Sequence, residues 1–570
     1  MRRFAICLAA TMLLTGCGSL PGSLTAQVPT SGPIQQGAQV NLDRKDQFIR
    51  VIARSPRDGM TPTQIVQGFL DASASFDGDH AVAREYLTGS ANSRWLPQLQ
   101  VSVYDGAAVI TSSGNSVTLT ASQTGKIDEI GRYVVATPGQ DLRSSFQLVR
   151  DGTQWRIDRL PQGLLLSASD VDRAYRSFAV YFFNPSFSAL VPDARMVPVL
   201  GPGQGTTLVR YLLDGPSDWL APAVRTGFPD GVVLNIESVP IDGGVARVDL
   251  KSAALLADDA TREAFSQQLV WTLGQLSDVT SVEITAGGQQ LVVPGVSSPQ
   301  PVDAWPEVNP EALPDNSSGY VARSRSVVRL GINTDRAVPG EAGSGVVSFL
   351  RFAIDRLSTA VAGIDADGTL WRGAIAQDAP LLTLVRGEAL SAPVFDSDEN
   401  IWVVNALTGL TRVDRIGRRA EVEVGGLPAE SALLAAVPSR DGTRCALIVQ
   451  TAVRTTLYVG VIVRATAGAP MAVADPIRVE TRLTEAISVS WSGANSLIVL
   501  GSDGAESLQV FDLNLARGSV NGIGAPEAPV MVASAPGLPP LVGAADGWIY
   551  EYVGSTWRKR TSGTSPAYPN

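Results

Sequence analysis

The chain is short of the residues from which active sites are most often built. A single histidine, His80, stands in 570 residues. A Ser-His-Asp arrangement would have to use it, and no G-x-S-x-G elbow accompanies it. Its place between Asp79 and Ala81, at an expected helix start, reads as an exposed residue. Zinc sites need Cys and His at short spacing, and none occur. The cysteines are Cys7, Cys17 and Cys445. Cys7 falls in an N-terminal leader and Cys17 at its end, which leaves Cys445 with no intramolecular partner and the chain with no disulfide framework. TRCALIVQ is apolar, so a buried inert thiol is expected at Cys445. No G-x-x-x-x-G-K-[ST] loop is present. GPGQGTT (201–207) lacks the lysine and reads as a plain loop. No metal site and no cofactor are expected.

Positive charge is also scarce. Lys and Arg number 45 against 55 Asp and Glu, a formal net charge of −10. That balance argues against nucleic acid, which needs a basic footprint, and against adhesion to anionic headgroups. Only Lys45, Lys126, Lys251 and Lys559 represent lysine, an arginine bias typical of GC-rich coding. After residue 17 no apolar run approaches the length of a membrane span.

What is present begins with MRRFAICLAATMLLTGCGS. Arg2 and Arg3 form a positive start, Phe4 to Leu14 an apolar run about half the length that crosses a bilayer, and Leu14-Thr15-Gly16-Cys17 its end. This is a signal peptide to be set aside before fold reasoning. The four residues resemble the bacterial lipobox, in which cleavage precedes the cysteine. The resemblance implies S-diacylglyceryl and N-palmitoyl modification of Cys17, whose thiol is a good nucleophile once ionised. Such acyl chains anchor a protein stably, at about 0.8 kcal/mol per buried methylene. The plainer alternative is a secreted protein with a chance cysteine.

The length implies about three or four domains. The assignment is signal peptide 1–16, lipidated Cys17 with a flexible tether 17–45, an α+β N-terminal domain 46–168, a second α+β domain 169–298, a Pro-rich linker 299–320, a β-propeller 321–560 and a disordered tail 561–570. The tether is too poor in apolar residues to order itself; extended, it spans on the order of 80 Å.

In the N-terminal domain Thr61-Pro62-Thr63-Gln64 predicts a capped helix start, with Ile65, Val66, Phe69 and Leu70 inward. A second helix is expected near Asp79, with Ala83, Tyr86 and Leu87 inward. After Trp95 the period changes to two, predicting antiparallel strands against the helices. In the second domain VDRAYRSFAVYFFNP predicts a strand and GTTLVRYLLDGPSDWL a helix closed at Gly215. A hairpin is expected around Asp242-Gly243-Gly244. The helix near 260–276 turns Phe265, Leu269, Leu273 and Leu276 inward. L-L-D-G-P-S, F-P-D-G and V-A-R-V-D-L resemble the GerMN domain of sporulation and germination proteins.

The C-terminal region repeats itself: AVAGIDADGTLWRG, APVFDSDENIWVV, AAVPSRDGTRCALIV, ISVSWSGANSLIVL and PLVGAADGWIYEYV. Each has a small-apolar strand, an acidic or glycine turn and a second strand carrying bulk. The spacing, roughly 30 to 55 residues, suits propeller blades, about five to seven of them. Trp371, Trp402, Trp491, Trp548 and Trp557 are expected in the core between blades. Asp396-Ser397-Asp398-Glu399-Asn400 has the alternating oxygens of a calcium loop but lacks its glycine and glutamate, so a solvated blade turn is expected. Asp365 and Asp367 are expected in an equivalent turn. A carboxylate pair for glycoside hydrolysis depends on separation, which spacing in the chain does not give.

This order of lipobox, tether, helix-and-sheet domain, GerMN-like domain and propeller resembles the LpqB lipoproteins of actinobacteria along nearly the whole mature chain. The resemblance implies a multidomain fold, with an α+β N-terminal domain, an α+β GerMN-like domain and a C-terminal all-β propeller. It implies a lipid-anchored protein on the outer face of the cytoplasmic membrane, an accessory to a sensor histidine kinase of the MtrA–MtrB type, which it meets through the kinase's extracellular part. Cell-envelope and division control would be the setting, with possible peptidoglycan contact and no catalysis. No catalytic residues are established for the family, so only Cys17 carries over. The alternatives are a wall-glycan binding protein, or a glycan hydrolase using propeller carboxylates.

Overall fold

Thr61 opens the first helix, Pro62–Ser73, by accepting from the Gln64 N–H while the Gln64 side chain accepts from the Thr61 N–H. This reciprocal cap satisfies two helix-end donors at once. The computed structural model describes residues 53–570 except 77, 138, 200–202, 388–389, 406, 465–470, 480–482 and 506. The signal peptide, Cys17 and the tether therefore lie outside the described residues.

The first helix buries Ile65, Val66, Phe69 and Leu70 against a sheet. Strand order there is Gln154–Arg159, Asp141–Asp151, Ser116–Ile127, Val101–Tyr104, Leu164–Ser167. The pairings are antiparallel except the last, which is parallel. Phe69 meets the Trp95 ring edge-on at 5.2 Å, a favourable aromatic geometry. The second expected helix is a single turn, Ala81–Arg84, although Ala83, Tyr86 and Leu87 are buried as expected. His80 is not exposed. It adopts φ 59° and packs its ring 4.7 Å from Phe76 and 5.9 Å from Trp95. Burial in that aromatic pocket lowers its pKa.

The middle domain opens with a hairpin, Tyr175–Phe183 with Leu190–Pro198. Strands Val245–Leu250 and Ser281–Ala286 run parallel, which requires a crossover. Helix Asp259–Leu273 supplies it, started by Asp258 accepting from the Thr261 N–H at 2.8 Å. It buries Phe265, Leu269 and Leu273 beside the helix Gln204–Asp214, which ends at Gly215 with φ 98°. The Pro-rich segment 299–320 is docked: Gln300–Pro301 joins the sheet, Trp305 is buried, and its indole donates to the Gln300 side chain at 3.0 Å.

Among the described residues the C-terminal region is six sheets, each of four strands with one extra strand on the fourth. Numbered as blades along the chain, they are blade one 320–337 with 564–567, blade two 351–386, blade three 394–421, blade four 423–478, blade five 485–522 and blade six 529–562. Blade two shows the pattern: Arg351–Ile354, Ala360–Ile364, Thr369–Ala374 and Leu381–Arg386, each antiparallel to the next. Blade one is assembled from both ends of the domain. Tyr320–Arg323, Ser326–Arg329 and Arg336–Ala337 supply its outer strands, and Thr564–Ala567 its innermost. The tail expected to be disordered over 561–570 is thus the closure of the ring. Small and polar residues hide it in the sequence, because its hydrogen bonds come from a strand far away in the chain.

The three domains form one compact unit. Among the described residues no helix is long and apolar enough to cross a membrane.

Candidate functional site

Cys17, the one site residue expected from sequence, lies outside the described residues. Cys445 is fully buried in blade four, and burial pushes its thiol pKa up, which keeps it protonated.

The acidic turns are structural. Asp365 Oδ1 accepts the N–H groups of Asp367 (3.0 Å) and Thr369 (2.9 Å), while Oδ2 accepts the Trp371 indole at 2.7 Å. Asp396 does the same with Asp398 (2.9 Å), Asn400 (2.8 Å) and Trp402 (3.0 Å). One local design is used twice, at positions that are not equivalent. The Asp365 turn joins the second and third strands of blade two, and the Asp396 turn joins the first and second strands of blade three. They therefore lie on opposite faces of the propeller. Asp396 also differs from the solvated turn that was expected: it is 6 % exposed and takes a further bond from Arg412 Nε at 2.7 Å. With both oxygens engaged it is poorly placed as a calcium ligand. Among the described residues no group of three or more His, Cys, Asp or Glu could hold a metal ion.

The tryptophans divide. Trp402 and Trp491 are buried, and the Trp491 indole reaches across to the Val437 carbonyl of the preceding blade at 2.9 Å. Trp548 is 38 % exposed beneath Lys559, 4.8 Å from its ring, so it is surface and not core between blades.

On the face that carries the Asp365 turn, an open funnel of about 680 Å³ is lined by Arg351, Asp365, Asp367, Met531 and Ser565 among others. The opposite face meets the middle domain. Asn184 Nδ2 donates to the Asp441 carbonyl at 3.2 Å, and the Glu311 carboxylate accepts the Ala494 N–H at 2.7 Å. Val461 of blade four enters the core of the middle domain.

L-L-D-G-P-S has its physical meaning here. Asp193, inside the Leu190–Pro198 strand, accepts from the Ser217 N–H at 2.7 Å, from the Ser217 hydroxyl at 3.1 Å and from Arg195 Nη2 at 2.8 Å. Arg195 also donates to the Gly215 carbonyl at 3.3 Å. A buried ion pair thereby pins the turn that ends the helix. That turn presents Trp219, which meets all three domains: Arg132 of the N-terminal domain lies 5.4 Å over its ring, and its indole donates to the Asp475 carbonyl of blade four at 2.9 Å. Neither the pair nor Trp219 was singled out by sequence. The only signal was charge at alternate positions, Asp193 and Arg195, in an otherwise apolar strand.

Trp219→Ala is expected to remove about 3 kcal/mol of docking between the domains, the low end for a large aromatic because the ring is half-buried. Limited proteolysis should accelerate between the middle domain and blade four while circular dichroism stays unchanged. Unaltered cleavage would remove Trp219 from this role.

Three family models match, in the order of the domains. Residues 55–172 match "Lipoprotein LpqB, N-terminal domain", 179–292 match "Sporulation and spore germination", and 326–569 match "Lipoprotein LpqB beta-propeller domain". A protein of Thermobifida fusca named Lipoprotein LpqB is 32 % identical over 99 % of this chain and 97 % of its own. The Streptomyces coelicolor protein of that name is 31 % identical over 100 % and 98 %. Among solved structures, TolB from Acinetobacter baumannii aligns over 44 % of this chain and 66 % of its own at 12 % identity and a TM-score of 0.35. Matching both LpqB family models, and the two proteins of that name over nearly its whole length and theirs, the chain belongs to the LpqB lipoprotein family.

Proposed function

We propose that this chain is a non-enzymatic accessory protein, held to the outer face of the cytoplasmic membrane by acyl chains on Cys17, which binds the extracellular domain of a two-component sensor kinase of the MtrA–MtrB type in envelope and division control. The observation that carries the reading is the commitment of the propeller's acidic turns to their own architecture: Asp365 and Asp396 hold backbone N–H groups and indoles. The funnel on the Asp365 face stays open, away from the middle domain, where loops on a rigid frame can recognise a partner. A lipid anchor raises the effective concentration of such a pair at one membrane.

Two measurements test the reading. The purified chain should bind the kinase sensor domain saturably, and absence of binding at high micromolar concentration would overturn it. Cys17→Ser should abolish metabolic labelling of the protein by a fatty-acid analogue; persistent label would place the anchor elsewhere.

A further inference from the structure

A second cavity, of about 720 Å³, lies where the middle domain meets blades five and six, on the face opposite the funnel. Its size suits a small ligand, and domain interfaces are a preferred place for such sites. One wall is a polar stretch of blade five. The strand register sets Asp512 directly opposite Asn521, and Asn514 opposite both Ser496 and Ser519, so the amides, hydroxyls and carboxylate share one sheet face. The other wall is the face of the Tyr175–Phe183 strand that carries Ala179 and Tyr181, opposite Ala194 and Pro192. Ser534, from blade six, is 7 % exposed, and its hydroxyl has no hydrogen-bond partner. A buried polar atom left unpaired is costly and calls for an explanation. Among the described residues the Asp512 carboxylate forms no ion pair, although Arg517 lines the same cleft, and burial raises its pKa.

We infer that this cleft is a binding site for a short, uncharged, acetamido-bearing oligosaccharide. Neutral amides and hydroxyls dominate the polar wall, and they match the mixed donors and acceptors of a sugar ring. The Asp512 carboxylate can accept from two sugar hydroxyls. The other carboxylate of the cleft, Glu311, already accepts the Ala494 N–H, whereas a divalent cation would need several free oxygens. Tyr181, half-buried on the cleft-facing side of its strand, offers aromatic surface to the apolar face of a sugar ring. The site is independent of the kinase-facing reading, because it lies on the other face of the propeller.

N,N′,N″-triacetylchitotriose titrated calorimetrically into the detergent-solubilised full chain is the test. Saturable binding is expected, weakened at least about tenfold by Asp512→Asn. Asp503→Asn, outside the cleft, should leave it unchanged, and all variants should keep the same melting temperature. No saturable heat, or equal affinity in Asp512→Asn, overturns the inference. Binding of the kinase sensor domain, measured on the same Asp512→Asn chain, should persist, so the two proposals fail separately.

Discussion

Deleting residues 564–570 should unfold the propeller. The loss falls on the innermost strand of blade one, where Ala567 pairs with Tyr320 and Thr564 with Ala322. Beyond that strand the Tyr568 hydroxyl donates to the Pro539 carbonyl at 2.8 Å. The Asn570 side chain donates to the carbonyls of Phe395 and Pro438, each at 3.2 Å. The Asn570 N–H donates to the Ile354 carbonyl at 3.1 Å, and Arg440 donates to the Pro569 carbonyl. The last residues thus tie blade one to blades two, three, four and six. Each hydrogen bond is worth about 1 kcal/mol and burial of Tyr568 about 2 kcal/mol. Their sum is a large share of the roughly 5–15 kcal/mol by which domains are stable. It also leaves the edges of blade one open to intermolecular pairing. Thermal melts followed by circular dichroism should lose the propeller transition. Deleting only 568–570, which spares the strand, should lower it by less. A truncated chain that melts like the full one would show that the ring does not depend on this closure.

The same tail shows where the sequence stopped being legible. Strands with small-apolar alternation and turns rich in Asp and Gly announce themselves locally, so the repeats at Asp365 and Asp396 pointed to blades. TSGTSPAYPN has no such period; it is a strand only because Tyr320–Arg323 waits for it. Local chemistry was readable where the partners are neighbours, as in the Thr61–Gln64 cap and the Gly215 helix end. It was misleading where burial is decided elsewhere. His80 reads as a surface helix start, yet Phe76 and Trp95 enclose it. Asp396 reads as solvated, yet Arg412, on a strand sixteen residues on, closes over it. The two acidic turns look alike in sequence because the same hydrogen bonds build both, and only the strand count places them on opposite faces. The expectation at Cys17 rests on sequence alone, because a lipobox is read as an extended sequence and needs no fold, and the residue lies outside those the structure describes.

Breaking the Asp193–Arg195 pair should be the most damaging single substitution in the middle domain. The two side chains are 7 % and 1 % exposed, and their charged atoms meet at 2.8 Å. Arg195→Met leaves the carboxylate buried with only the Ser217 N–H and hydroxyl to hold it. Asp193→Asn leaves a guanidinium whose Nε and Nη1 already lack partners. Uncompensated buried charge costs about 3–5 kcal/mol, and here the cost lands on the turn that positions Trp219. Hydrogen exchange at the Ser217 amide should therefore quicken by about two orders of magnitude in either variant. In the double variant Asp193→Asn with Arg195→Met the loss should be smaller than the sum of the two, since neither charge is then stranded. Exchange at Ser217 unchanged in both single variants would mean that the helix-ending turn is held by Gly215 and Pro216 alone, and that the ion pair contributes nothing to docking.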